Sequence, residues 1–167
     1  METLSNFLAK IIKSLGFVVC VACPGSRNKY LLQAFSKHFR TIVCISEHSA
    51  GFFCLGLNKA NRSCYAFVCV TSGTAVCELL PSVVEAFYSR CPLLIVSADL
   101  PFSFRSSGYP QAIDQTKIFG RYGLFSRLDW TVNKSAQLRF SQNMPSHWNV
   151  AFLEEDPVAL KIRLSVV

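Results

Sequence analysis

The sequence predicts an α/β fold, a three-layer sandwich with a mostly parallel central sheet and helices on both faces. Strand-length apolar runs alternate with helical patterns almost throughout the chain. The central runs are near-continuously apolar rather than alternating, which is the pattern of strands buried on both faces. The chain has 167 residues, 51% of them hydrophobic, enough for one domain with a sizeable core.

The elements follow in order. METLSNFLAKIIKSLGF carries apolar residues at helical spacing, and FVVCVA (17–22) reads as a strand. PGS breaks the chain before a helical NKYLLQAFSKHF (28–39). TIVCI (41–45) reads as a second, buried strand, followed by a helix over about 48–60. CYAFVCV (64–70) is a third strand, TSG a turn, and 74–89 a helix that Pro81 should kink or break. PLLIVSA (92–98) is a fourth strand, followed by a long polar loop and a short helix near Lys117. SRLDWTV (126–132) and WNVAFL (148–153) read as the last strands, and residues after about 155 as a terminal arm or the start of a linker. The whole chain is read as a single domain.

A charged fraction of only 16% excludes a disordered chain. No apolar run reaches the roughly 18 residues of a spanning helix. The N-terminus lacks the order of a signal peptide, with Lys10 and Lys13 interrupting its apolar positions. The expectation is a cytoplasmic protein with no membrane partner. Net charge is +7, but the seventeen Lys and Arg are scattered singly, so a solvated basic surface is expected rather than a nucleic-acid footprint. Most of the eight cysteines lie in apolar segments and read as small packing residues. Cys20 and Cys23 form a C-x-x-C within an extended run, where residues three apart face opposite sides, so no metal or redox pair is expected.

In such sheets ligands collect at the C-terminal ends of the strands. The loops there are CPGSR, SEHS, TSGT and the long segment after residue 98. Thr71, Ser72 and Gly73 put two hydroxyls and a glycine at a helix start, although capping by Ser72 or Thr71 explains them as simply. Pro24 and Gly25 make a tight turn that points Ser26 or Arg27 toward the rim, where Arg27 suits a carboxylate. Glu47 stands where the second strand runs into its helix. A first-turn carboxylate after a Ser46 N-cap is an ordinary structural reason for it.

Taken in order, CPGSR, SEHSAGFFCLGLNKA, VTSGTAVCELLPSVVEA, PLLIVSADLP and QAIDQ resemble one family over about residues 7–130. This is the N-terminal, pyrimidine-binding domain of the thiamine-diphosphate-dependent 2-succinyl-5-enolpyruvyl-6-hydroxy-3-cyclohexene-1-carboxylate synthases of menaquinone biosynthesis. The resemblance implies thiamine diphosphate as cofactor. It also implies a decarboxylating carboligation of 2-oxoglutarate with isochorismate. By the same resemblance Glu47 hydrogen-bonds N1′ of the aminopyrimidine and favours its imino tautomer, whose 4′ nitrogen then takes the thiazolium C2 proton. A carboxyl among Phe52, Phe53 and strand side chains would tend to keep its proton. Pro24, Thr71, Ser72 and Gly73 would lie near the pyrimidine, and Ser26, Arg27 and Gln111 would face the carboxylate substrates.

Two positions depart from the family pattern. Leu100 stands where the family has an arginine, with Arg105 the candidate to compensate, and Pro110 replaces an asparagine before Gln111. The family's diphosphate- and Mg²⁺-binding segment has no counterpart in these 167 residues. The expectation is therefore half of a cofactor site, with no metal ligand of its own, completed by a homodimer or by a separate diphosphate-binding domain. The alternative is a catalytically inactive remnant that acts as a small-carboxylate binding or interaction module.

Overall fold

The computed structural model describes residues 4–61, 65–100, 104, 107–129, 137–140 and 161–166. Helix α1 (Leu4–Ser14) leads into β1 (Phe17–Ala22), α2 (Lys29–His38), β2 (Arg40–Val43), α3 (Glu47–Ala60) and β3 (Tyr65–Val70). Helices α4 (Thr74–Cys77) and α5 (Leu80–Ser89) precede β4 (Leu94–Asp99), and β5 (Leu124–Asp129), β6 (Gln137–Phe140) and β7 (Lys161–Val166) follow. One seven-stranded sheet runs in the order β2-β1-β3-β4-β7-β5-β6. The first four strands are parallel, with Val21 beside Ile42 and Val68, and Cys69 beside Val96. Strand β7 then pairs antiparallel with both β4 and β5.

The three-layer sandwich is present. One core lies between the sheet and α1/α2, built on Leu8, Ile12, Leu31, Phe35, Phe67 and Val96. The other lies toward α3 and α5, with Cys54, Leu55, Val68, Leu79, Val83 and Ile95. Successive β3 residues alternate between them: Phe67 and Cys69 enter the first core, Val68 and Val70 the second. This two-sided burial explains the unbroken apolar runs of the central strands. At Gly51 an added Cβ would strike Ser82 and approach Leu79 Cδ2 to 3.0 Å, so the glycine lets α3 and α5 pack closely.

Pro81 breaks its helix as expected. The chain divides into α4 and α5, and the proline sits in the first turn of α5, where a missing N–H costs nothing. Three other expectations change. β2 is the sheet edge rather than a buried strand, and Val43 is 64% exposed, because an apolar run does not tell centre from edge. The helix expected near Lys117 is a set of turns ending in a 3-10 turn at Gly120–Tyr122, and Lys117 itself takes a φ of 53°. Residues 161–166, read as part of a terminal arm, form β7 inside the sheet. The strand expected at 148–153 lies outside the described residues, as does Arg105. No helix among the described residues is long and apolar enough to cross a membrane.

Cys20 and Cys23 enter opposite cores, as their spacing in a strand requires. Burial pushes the Cys20 thiol up to about 12, with Cys23 adding to it. Cys23 is also raised to about 12, by burial first and then by Glu47 and Cys44. Burial likewise raises Cys54 and Cys69. These thiols stay neutral in the folded protein while unfolded thiols ionise from 9.0 upward. Above that pH the unfolded state holds fewer protons, so the stability present below pH 9.0 should be lost as pH rises toward 12. Urea unfolding across pH 8–12 reads that decline. Iodoacetamide near neutral pH should modify the exposed Cys77 well before Cys20 or Cys69, and the reverse order would contradict this burial.

Candidate functional site

β1 lies between β2 and β3, so the chain leaves it on one side through α2 and returns on the other. A crevice at the C-terminal ends follows from such a reversal of strand order. The turn after β1 and the turn after β3 meet there. A Cβ added to Gly25 would come within 2.7 Å of Thr71 Cβ, so only a glycine permits this approach. Asn28, fully buried, fastens the first turn: its Oδ1 accepts from Gly25 N at 2.8 Å and its Nδ2 donates to Cys23 O at 2.9 Å. Pro24 and Ser26 are exposed on the rim.

The turn after β3 is not capped by its own hydroxyls. The N-cap of α4 is Gly73, with no side-chain cap hydrogen bond, so neither Thr71 nor Ser72 serves as a cap. Both residues are buried (8% and 0% exposed), and among the described residues neither Thr71 Oγ1 nor Ser72 Oγ has a hydrogen-bond partner. A buried hydroxyl without a partner is costly, by about 1–3 kcal/mol, so each needs a physical reason. Gly73 adopts φ 78°, ψ −130°, and a Cβ there would lie 2.5 Å from Gln111 Cβ.

Arg27 and Gln111, 84 residues apart in sequence, are brought together. Arg27 Nη1 donates to Gln111 Oε1 at 2.7 Å and Nη2 to Pro110 O at 3.0 Å, while the guanidinium carbon lies 5.7 Å from the centre of the Tyr109 ring. The Tyr109 ring packs edge-on against Phe104 at 5.2 Å. Leu100 is half-buried at the end of β4.

Glu47 is the first residue of α3, and Ser46 is its N-cap, accepting from Ser49 N at 3.4 Å. The carboxyl is half-buried and near enough to Cys23 to raise that thiol. Phe52 and Phe53 are 39% and 44% exposed and Ile45 fully so, which leaves Glu47 at an open apolar edge rather than enclosed within this chain. The aromatic surround expected for it does not close here, because β2 is an edge strand.

Sequence reasoning passed over three buried amides. Asn28 was visible only as the residue after PGSR. Asn58 bridges α3 to the Ala66 backbone (2.6 and 3.0 Å) and to Pro92 O (2.8 Å). Gln115 accepts from Gly73 N at 2.7 Å and donates to Ala98 O at 3.2 Å. It closes the QAIDQ segment, in which only Gln111 was singled out. Among the described residues no group of three His, Cys, Asp or Glu is arranged to hold a metal ion.

Residues 2–118 match the family described as "Thiamine pyrophosphate enzyme, N-terminal TPP binding domain". The 2-succinyl-5-enolpyruvyl-6-hydroxy-3-cyclohexene-1-carboxylate synthase of Geobacillus kaustophilus is 42% identical over 149 residues, covering 86% of this chain and 26% of that protein. The synthase of Chloroflexus aurantiacus is 47% identical over 126 residues, covering 72% of this chain and 21% of its own. The structure of benzoylformate decarboxylase from Polynucleobacter necessarius shares the fold, with a TM-score of 0.64 at 18% identity over 73% of this chain and 23% of that one. The chain spans 21–26% of the length of these curated relatives. With the parallel sheet, the crevice between β1 and β3 and a match running from residue 2 to 118, the chain belongs to the thiamine pyrophosphate enzyme family, as its N-terminal TPP-binding domain.

Proposed function

We propose that this chain supplies the pyrimidine-side half of a thiamine-diphosphate site in a decarboxylating carboligase that joins 2-oxoglutarate to isochorismate. The pair of buried hydroxyls on Thr71 and Ser72, without a partner among the described residues, in the crevice between β1 and β3, carries the reading. An aminopyrimidine ring presents donors and acceptors along its edge, and these hydroxyls suit it. When bound, the cofactor supplies the carbon nucleophile and the electron sink for decarboxylation.

In this reading the Glu47 carboxyl would hydrogen-bond the ring nitrogen N1′, and Pro24 and Gly73 would shape the walls. Ser26, Arg27 and Gln111 form the carboxylate end of the site. Arg27 has two N–H groups on Gln111 and Pro110, a preset fork that a substrate carboxylate can take over. Mg²⁺ and the diphosphate would be held by a separate diphosphate-binding domain, whose surface would cover the open edge around Ile45, Phe52 and Phe53. Arg105 keeps its assignment as a candidate second cation.

The test combines this chain with Mg²⁺, thiamine diphosphate and the Geobacillus kaustophilus synthase stripped of its own N-terminal domain, and follows CO₂ release from 2-oxoglutarate. Turnover that requires both polypeptides and the cofactor is expected. Arg27→Met should raise the KM for 2-oxoglutarate by at least tenfold, since a lost charge-assisted pair is worth about 1.5–3 kcal/mol. Its thiamine diphosphate requirement should stay unchanged. Leu100, in the position of a family arginine, favours a second reading, a carboxylate-binding module without the reaction. Calorimetry that finds dicarboxylate binding but no cofactor binding, with no turnover in the mixture, would decide for it.

A further inference from the structure

We propose that Gln115 is a positioning residue that holds the Thr71-Ser72-Gly73 turn in its ligand-ready shape. The inference rests on the cofactor reading above and adds to it a residue outside the site itself.

Gln115 is 1% exposed, and both ends of its carboxamide are used. Its Oε1 accepts from Gly73 N at 2.7 Å; its Nε2 donates to Ala98 O at 3.2 Å and lies 3.5 Å from Ser97 Oγ. The carboxamide therefore ties the turn after β3 to the end of β4. Among the described residues no other side chain caps that turn. Gly73 has φ 78°, a conformation that the chain does not hold by local preference, and its N–H is directed by Gln115 alone among the described side chains. The residue before it is Ser72, whose hydroxyl is buried without a partner among the described residues. If Gly73 rotates, the Ser72 and Thr71 hydroxyls turn with it. A leucine would fill the same volume as Gln115 but take away the side-chain partner of Gly73 N and the bond to Ala98 O. The choice of an amide here thus concerns direction as well as packing.

The same strand of chain reaches the substrate side. Gln111, four residues earlier, packs on Gly73 and receives Arg27. Gln115 is the inner anchor of this strap and Arg27 the outer one.

Two variants test the proposal. Gln115→Leu removes both hydrogen bonds. Gln115→Glu keeps an acceptor for Gly73 N at every pH but can donate to Ala98 O only when protonated. In the chain alone, amide hydrogen exchange at Gly73 should accelerate at least tenfold in Gln115→Leu, with the amides of β1 and β3 unchanged. In the reconstituted mixture, its KM for thiamine diphosphate should rise at least tenfold and its KM for 2-oxoglutarate should move less than twofold. For Gln115→Glu, cofactor affinity should approach the parent value at low pH and fall as the pH rises and the buried carboxyl ionises. Asp99 and Asp114 are present in parent and variant alike, so the difference between the two profiles belongs to residue 115.

Unchanged Gly73 exchange would overturn the proposal, whatever the cofactor does. So would a lower Tm with cofactor KM and pH profile unaltered, since that is the result of a packing role only. If the parent mixture takes up no thiamine diphosphate while Gly73 protection still depends on Gln115, the cofactor reading falls and the positioning of the turn stands. If Gln115→Leu does not fold, Gln115→Glu at low pH carries the test.

Discussion

Gly73→Ala should empty the site and destabilise the fold together. At φ 78°, ψ −130° an L side chain is strained, and its Cβ would lie 2.5 Å from Gln111 Cβ and 2.7 Å from Gln111 O. Backbone strain and overpacking together cost about 2–5 kcal/mol. For a chain of 167 residues that is a fall in Tm of roughly 4–20 °C. Because Gly73 N is bonded to Gln115, any shift that relieves the clash also breaks that bond, and thiamine diphosphate binding should drop below detection. A second substitution separates strain from chemistry. Gln111 has φ 61°, so Gln111→Gly suits its own backbone and removes the nearest obstacle. The double variant should regain part of the lost stability, though not all, because Gln111 O and Cα remain within 2.9 Å. A melting temperature for Gly73→Ala within 2 °C of the parent would mean that the turn is not held as described.

The contrast between what the sequence discloses here and what it hides has a physical basis. β1, β3 and β4 were legible because strands buried on both faces must be apolar at successive positions. The break at Pro81 and the Ser46 cap were legible because each depends on one residue and its immediate neighbours. The edge position of β2 was not, since TIVCI has the same composition whether a neighbour covers it or not. Lys161–Val166 does alternate polar and apolar residues, the pattern of a strand with one covered face, but the acidic, proline-containing stretch before it suggested an arm.

The site divides in the same way. Position along the chain pointed to Glu47, Arg27 and the Thr71-Ser72-Gly73 turn, because parallel sheets gather ligands at strand ends. That Arg27 reaches Gln111, or that Gln115 reaches Gly73 across 42 residues, is tertiary information with no period or local signal. Buried amides such as Asn28, Asn58 and Gln115 look in a sequence like surface residues. Only coordinates show which backbone groups each of them meets.

Glu47→Gln should lower turnover in the reconstituted mixture by about 10²–10⁴-fold, with little loss of fold. The substitution keeps shape and hydrogen-bonding capacity but removes the group that can hold or share a proton with a ring nitrogen. Its structural cost is bounded, since an acidic residue in a helix's first turn contributes about 0.3–1 kcal/mol through the dipole. The Ser46 cap, which is independent of it, remains. Activity and stability should therefore part company: a Tm within a few degrees of the parent beside a near-complete loss of CO₂ release. Cys23 offers a check on the geometry that needs no cofactor. Its thiol is raised by burial and, next, by the nearby Glu47 carboxylate. Neutralising residue 47 should let Cys23 ionise at lower pH, and alkaline alkylation of Cys23 should quicken while that of Cys20, in the opposite core, does not. Should Cys23 respond as expected while turnover in Glu47→Gln stays within twofold of the parent, the carboxyl sits where it is described and does no proton chemistry there. The family assignment would stand, and the catalytic role of Glu47 would not.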